Sequence, residues 1–279
     1  MAIERIGSKV IKFYVPLAAY LAFLFFPFYW MVNTVFKSDM ELYNLDLNPL
    51  YIHSPTLGNI VTLFTETIFL RWMANTFFVA LSATLISLVF SLLAAYAIQR
   101  LQFKTSGPTG VAIFLGYLVP QTILFIPLAH IIFKIRLWDS LWALILTYPT
   151  FLIPFCTWLL MGYFKSIPKE MEECAMIDGA SRIRIFRRII LPLCLPGVLS
   201  AGIFCFTLSW NEYLYALAFI SSTAKKTVPI GLVTELVRGD VYHWGALMAG
   251  ALCASVPVAL VYSFFVEHYV AGMTGALKE

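Results

Sequence analysis

Residues 169–196 read "KEMEECAMIDGASRIRIFRRIILPLCLP", the most charged stretch of a chain that is otherwise close to oil. Of its 279 residues, 61% are hydrophobic and 12% charged. A soluble domain of this size is nearer half apolar and a quarter charged. Mean hydropathy is +0.84. The charge deficit, more than the apolar excess, places the chain in a bilayer. A compact island of Glu173, Asp178, Arg182, Arg184, Arg187 and Arg188 between two apolar runs therefore needs a cause.

The island spells helix, turn, helix. Pro168 stands where a first helical turn tolerates a missing N–H. Glu170, Glu172 and Glu173 suit the positive end of a helix dipole. "EMEECAMI" predicts a short helix ending at Asp178-Gly179, a pair suited to a sharp turn. Ser181 is placed to cap a second helix, "RIRIFRRII", whose Ile183, Phe186 and Ile190 share one stripe. Pro192 and Pro196 mark the entry into the next apolar run. Local geometry leaves two readings open: an amphipathic segment lying at the lipid interface, or a surface made for a protein.

Outward from the island, about 20 apolar residues are needed to span the hydrocarbon core as a helix. Six such helices are expected, over 13–36, 73–98, 109–133, 141–164, 194–220 and 245–266. The basic start "MAIERIGSKVIK" is like that of a signal peptide. Its apolar run is too long for one and five more follow, so an uncleaved helix is expected. With the N-terminus inside, the inner segments hold twelve of the nineteen Lys and Arg. Six of those twelve (Lys165, Lys169, Arg182, Arg184, Arg187, Arg188) lie in the fourth connection; the others are Arg5, Lys9, Lys12, Arg100, Lys104 and Lys278. The outer segments hold Lys37, Arg71, Lys134, Arg136, Lys225, Lys226 and Arg238. The positive-inside rule then puts both termini and the island in the cytoplasm.

Pro27, Pro120, Pro127, Pro149, Pro154 and Pro257 are expected to break helices that face protein or a water-filled path. In the sixth helix Gly245, Ala246, Ala249, Gly250 and Ala254 have small-xxx-small spacing, which predicts close helix packing. Neither a repeat nor a linker divides the chain, so one membrane domain over 1–279 is expected, with 165–192 as a loop within it.

Several functions lack their residues. A formal charge of +4 does not point to nucleic acid. Cys156, Cys174, Cys194, Cys205 and Cys253 form no CxxC pair, and four of them read as small packing residues in or beside apolar runs. His53, His130, His243 and His268 stand singly, and GxSxG, Walker and dinucleotide loops are absent. Neither a catalytic centre nor a metal site is expected. A stand-alone secondary transporter would want intramembrane ionisable groups and an inverted repeat; little beyond Glu212 qualifies.

Polar groups inside apolar helices are costly without a reason. Trp210, Asn211, Glu212 and Tyr213 in the fifth helix are the foremost candidates for a solute path, with Asn75, Gln121 and Tyr148 behind them. Aromatic faces stack on sugar rings, and amides and carboxylates bind hydroxyls. Trp and Tyr also mark membrane interfaces, and Glu212 lies about 27 Å beyond Cys194 at helical rise. Solute contact, an interfacial or gating role, and packing all stay open. No basic residue lies deep in the expected spans, which favours a neutral solute.

The island carries one pattern beyond local physics. Glu173-Cys174-Ala175, three residues, Gly179, nine residues, Ile189, one residue, Leu191-Pro192 resembles the EAA loop of ABC importer permeases, E-A-A-x3-G-x9-I-x-L-P. Cys174 for the first Ala is the one departure. "PFYWMVNTVFKSDMEL" (27–42), "AAYAIQRLQF" (94–103), "SWNEYLYAL" (209–217) and "HYVAGMTGALKE" (268–279) extend the resemblance to the carbohydrate-type permeases, the maltose-transporter G-type subunit among them.

That resemblance implies a permease subunit that moves a carbohydrate or related polyol across the cytoplasmic (inner) membrane of a prokaryote by alternating access. A non-sugar cargo stays open, because the loop reports coupling rather than cargo. It implies a coupling helix docked in a groove of a cytoplasmic ATPase. Glu173 would pair with a basic residue there, Cys174 and Ala175 would permit close approach, and Gly179 would make the turn. Asp178, Arg182, Phe186, Leu191 and Pro192 belong to the same coupling region. The implied partners are two ATPase subunits that hold ATP and Mg, a second permease subunit, an extracytoplasmic solute-binding protein and the lipid bilayer. Much of the substrate contact would fall to the second permease. Residues 221–243 resemble an outer loop that reaches into the binding protein; their ordinary reading is a plain connector.

Overall fold

The computed structural model describes residues 10–101, 103–238 and 241–275, with side chains over 12–101, 103–237 and 242–264. Arg5, Lys9, Lys278, the side chains of Arg238 and His268 and the end of the "HYVAGMTGALKE" match lie outside the described residues. The chain is helical throughout: α1 (Val15–Val35), α2 (Asp39–Leu42), α3 (Gly58–Thr65), α4 (Phe69–Tyr96), α5 (Ser106–Tyr117), α6 (Gln121–Lys134), α7 (Leu141–Thr147), α8 (Pro149–Ser166), α9 (Glu170–Ile177), α10 (Arg182–Ile185), α11 (Leu191–Leu193), α12 (Leu195–Trp210), α13 (Leu214–Phe219), α14 (Val228–Leu236) and α15 (Trp244–Gly275). A two-residue hairpin, β1 (Val237–Arg238) and β2 (Val241–Tyr242), precedes α15.

Among the described residues, four helical stretches are long and apolar enough to cross a membrane: Lys12–Val35, Phe69–Leu101, Leu141–Ser166 and Trp244–Phe264. Two bent helix pairs have the same apolar character. Ser106–Tyr117 meets Gln121–Lys134 at 93°, and Arg182–Leu193 meets Leu195–Trp210 at 74°. Irregular turns at membrane depth are tolerated where protein covers them. The protein is thus an all-α, multi-pass membrane protein.

The expected fifth span, 194–220, is corrected. It stops at Trp210 and resumes as the separate α13. Pro27, Pro127, Pro154 and Pro257 break nothing and sit inside continuous helices. Each deletes one ladder bond, and the neighbouring bonds carry the helix through a medium with no water to replace them. Pro149 begins α8 within a span that runs on from α7. Only Pro120 marks a sharp turn, ahead of α6, because a proline drives the residue before it out of helical conformation.

The chain divides into two compact units. The first comprises Met1–Phe69 and Leu232–Ser255. In it α1 leaves nearly all its apolar side chains exposed, burying only Asn33, Thr34 and Val35 at its end. A loop folds back on that end: Asn33 donates to the Leu50 carbonyl at 2.7 Å and Lys37 to that of Pro49 at 2.6 Å. The buried Glu41 carboxylate accepts from the backbone N–H groups of His53 (2.8 Å) and Ser54 (3.0 Å). The His53 N–H, aided by that of Ser54 and by Lys37, outweighs burial and holds the Glu41 carboxyl below the ordinary range. The small residues of α15 do pack closely: a Cβ on Gly245 would overlap the Asn59 side chain, and one on Gly250 that of Leu232.

The second unit, Leu70–Gly231 and Val256–Glu279, holds the main core. Tyr148, between α7 and α8, and Leu152, Cys156, Leu160 and Phe164 of α8 pack with Val79 and Ala83 of α4, Ala201 and Cys205 of α12, and Tyr215 and Phe219 of α13. Helices already in lipid gain little from hiding apolar surface, so close contact and hydrogen bonds must join them. Gly197 shows the contact: a Cβ there would lie 2.4 Å from the Tyr163 ring. Residues 221–231 are more than a plain connector. Trp72 donates to the Thr223 carbonyl (2.9 Å), Asn75 to those of Ala224 (3.0 Å) and Lys226 (2.9 Å), and Val228 N–H to the Thr76 hydroxyl (2.8 Å).

Asp139 ties the loop before α7 to the same segment. Its carboxylate accepts from the Ser221 and Ser222 N–H groups, both at 2.9 Å, from the Ser222 hydroxyl at 2.5 Å and from Lys225 at 3.0 Å. Partial burial alone would raise this carboxyl, but the Ser222, Lys225 and Ser221 bonds together hold it well below the ordinary carboxylate range. A depressed carboxyl stabilises the fold in full above its unfolded value, about 3.9, and loses that contribution as pH falls through the folded value. Asp139→Asn keeps a residue that tolerates the left-handed backbone (φ 54) and removes the charge. It should unfold about 1.5 kcal/mol more easily at pH 7. The gap to wild type should hold from about pH 5 to 8 and shrink below about pH 4. Thermal melts in detergent across that range check it; equal melting at pH 7 contradicts it.

Candidate functional site

The charged island forms an elbow. After α9 the chain turns at Gly179, whose N–H donates to the Met176 carbonyl at 3.0 Å while the Ala180 N–H donates to that of Ala175 at 2.9 Å. These two bonds are a Schellman closure, which places the residue after the cap in the left-handed region. Gly179 has φ +77, and a Cβ on it would meet nothing within 4 Å. Backbone conformation, not crowding, requires the glycine. Ser181 opens α10 at the cap position, but its side chain makes no capping bond; the Ile185 N–H bonds to its carbonyl instead, at 3.0 Å. A π-helical turn over Phe186–Ile190 leads through α11 into α12.

Sidedness on α9 separates the residues of the site. Glu173, Cys174, Met176 and Ile177 face outward, Ile177 with 85% of its surface exposed. Asp178, Gly179, Arg182 and Pro192 are exposed as well. Ala175 and Phe186 instead pack against the core, and Leu191 is half-buried. Phe186 lies against Tyr96 with ring centroids 4.8 Å apart, so its ring faces inward. The outward face thus mixes acid and apolar groups on a short, well-ended helix.

What holds that helix was not singled out from the sequence. Arg100, at the end of the Phe69–Leu101 span, is 3% exposed and Glu172 11%. Arg100 Nε and Glu172 Oε1 face each other at 3.1 Å. The guanidinium also donates to the carbonyls of Phe164 and, at 2.6 Å, Ile167, where α8 ends. Helix ends leave carbonyls without intrahelical donors, and Arg100 supplies them. Removing one partner of a buried ion pair costs about 3–5 kcal/mol, because the other charge is left stranded. Three glutamates open α9 in the sequence. Only the helical phase that pairs Glu172 with Ala175 on the inward side could have told them apart.

The solute-path candidates fall into three places. Glu212, in the break between α12 and α13, is buried; its carboxylate accepts from the N–H groups of Tyr215 (2.8 Å) and Ala216 (3.1 Å). The wholly buried Tyr148 lies against that carboxylate. Tyr215 packs edge-on to Phe151 and donates its hydroxyl to the backbone carbonyl of Gln121 at 3.2 Å. Trp210 is buried beside Ala80 and Phe206. Asn211 and Tyr213 are exposed, the Asn211 amide donating to the Thr207 carbonyl at 2.9 Å. Asn75 sits apart, bound to the 224–226 turn. The structure therefore joins Glu212 to Tyr148 and leaves the other candidates dispersed. Among the described residues no group of three His, Cys, Asp or Glu side chains could hold a metal ion.

Known proteins are similar to this chain in sequence and in fold. The sulfoquinovosyl glycerol transport system permease protein SmoH of Agrobacterium fabrum is 37% identical over 257 residues, covering 91% of this chain and 88% of that protein. The inner membrane ABC transporter permease protein YcjP of Escherichia coli is 34% identical over 282 residues, covering 100% of both. The trehalose/maltose transport system permease protein MalG of Thermococcus litoralis is 35% identical over 259 residues, 91% of each. In fold, the chain is similar to one in the crystal structure of a bacterial ABC transporter involved in the import of the acidic polysaccharide alginate. The TM-score is 0.79 at 20% identity, over 96% of this chain and 98% of that one. Residues 87–275, which include the elbow and both spans beside it, match the family described as binding-protein-dependent transport system inner membrane component. The chain belongs to that family and is an ABC transporter permease.

Proposed function

We propose that this chain is one of two permease subunits of an ATP-driven importer, and that a nucleotide-binding subunit docks on the outward face of α9. One observation carries the proposal: a short helix, anchored on one side by a buried ion pair, presents Glu173 and Cys174 beside exposed Met176 and Ile177 on the other. A free loop would have no reason to be anchored and apolar-faced at once. Exposed apolar groups rimmed by charge mark protein contacts. The ATP and Mg belong to two separate ATPase subunits. The elbow lies on the cytoplasmic side of a prokaryotic inner membrane, with both chain termini on that side. Residues 1–279 work as one permease domain and 165–192 as its coupling loop.

The cargo in this proposal is a carbohydrate or related polyol delivered by an extracytoplasmic solute-binding protein. Relatives named for sulfoquinovosyl glycerol, trehalose/maltose and diacetylchitobiose support it. Closure of the ATPase subunits moves the elbow, and the bundle passes between inward- and outward-open states as rigid bodies. Asn211 and Tyr213, exposed beyond α12, are placed to meet solute. Glu212 and Tyr148 hold the break behind them and act as a gate rather than a binding site.

Two variants test the docking surface. Glu173→Lys should insert and fold normally but lose co-purification with the cognate ATPase and lose transport in proteoliposomes. Wild-type association in that variant would remove the reading. Gly179→Ala forces a Cβ into a left-handed turn at a cost of about 1–2 kcal/mol, so it should lower transport while leaving Glu173 in place. Stimulation of ATP hydrolysis by the binding protein loaded with a panel of sugars and polyols tests the cargo; stimulation by none of them refutes a carbohydrate.

A further inference from the structure

The two helices that flank the elbow in sequence, α8 and α12, are its covalent neighbours. The structure also holds a third attachment that the sequence does not link. Tyr96 and Arg100 stand four residues apart at the end of the Phe69–Leu101 span, so they share one side of it. Each grips a different arm. Arg100 meets Glu172 on α9 at 3.1 Å, ahead of the turn. Tyr96 meets Phe186, beyond the turn, with ring centroids 4.8 Å apart, and Phe164 of α8 at 6.2 Å. Between the two grips lies Gly179.

We propose that Arg100 is a positioning residue for coupling: through Glu172 it makes the Phe69–Leu101 span a direct receiver of the elbow's motion. The inference rests on the docking of an ATPase on α9 proposed above. The reason is geometric. A helix of eight residues (α9) held only by its two flanking connections can roll about its own axis, and a push on its outer face is then absorbed by rotation. A planar guanidinium fixed by two carbonyls of α8 and facing a carboxylate of α9 removes that freedom, because its donors lie in one rigid plane. Displacement of α9 then carries α4 and the end of α8 with it. Glu172, one residue from the docking Glu173, has this inward task while Glu173 has the outward one.

The test uses the full complex, permease pair with ATPase subunits and binding protein, in proteoliposomes, counting solute imported per ATP hydrolysed. Glu172→Gln leaves the Arg100 bonds to Phe164 and Ile167 in place and removes only the link to α9. It should melt earlier than wild type but still assemble, with the affinity for loaded binding protein unchanged, yet import at least tenfold less solute per ATP. Arg100→Gln should fall at least as far, and Arg100→Lys, which keeps the charge toward Glu172, should recover part of the loss. Adding Glu172→Gln to Arg100→Gln should cost nothing more. Wild-type stoichiometry in Glu172→Gln overturns the proposal, whether or not the Arg100 variants fold. If the wild-type chain itself fails to bind the ATPase through α9, the docking reading fails instead, and co-purification separates the two failures.

Discussion

A guanidinium that cannot reach water has to find partners, and Arg100 finds them on two other helices: it donates to the Phe164 and Ile167 carbonyls at the end of α8 and sets its charge against the Glu172 carboxylate of α9. The rest of the elbow depends on this. Within a membrane protein the apolar faces of helices have lipid as a fair substitute for one another, so apolar packing alone does not say where a surface helix must lie. A buried charge does, because its desolvation is repaid only in one geometry. The end of α8, the start of α9 and the end of α4 are fixed together by that single requirement. The Gly179 turn can then be sharp without being loose.

Much of this was legible in the residues because it is local. The helix–turn–helix of the island follows from a run of glutamates and an Asp-Gly pair, and the structure places α9 and α10 there; the expected stripe of Ile183, Phe186 and Ile190 is corrected, because Ile183 is exposed and Ile185 is buried ahead of the π-helical turn. The length of apolar runs located the four straight spans and the bent 106–134 pair, but set the fifth run too far along, at 194–220. What local reading missed was long-range or context-dependent. Arg100 and Glu172 are 72 positions apart, and nothing in either neighbourhood names the other. Ser181 looked like a cap, yet its hydroxyl makes no such bond. Prolines that would end a helix in water are carried inside α1, α6, α8 and α15. The break at 211–213 was hidden because Trp210, Tyr213 and their apolar neighbours satisfy a span by composition, and only the capping of α13 by Glu212 shows that the helix has stopped.

The division of labour among the glutamates explains why the same segment supports two opposite readings from sequence. As an amphipathic stripe, α9 and α10 could lie on lipid. In the structure the inward side of α9 is taken by Glu172 and Ala175, and the side left open has Glu173 and Cys174 next to Ile177. A lipid-facing helix would turn its carboxylates to water and its apolar residues to the membrane as two separate faces. Here acid and apolar groups share the exposed face, which suits a protein groove with its own basic and apolar parts.

Between the elbow and the break at 211–213, α12 is jointed at both ends. A 74° bend separates it from α11, and Asn211–Tyr213 separate it from α13. Its 16 residues make a rod of about 24 Å at helical rise, pressed against α8 where Gly197 admits the Tyr163 ring. A rod with two joints transmits displacement without having to bend. The interior of a packed helix pair resists gradual deformation and moves between discrete arrangements. The close approach at Gly197, where the Tyr163 ring rests directly on the α12 backbone, makes a natural pivot. Movement at the α9 end would then reappear at the Glu212 end with its direction set by that pivot. This connects the charged island at one end of α12 with the buried Glu212 carboxylate at the other.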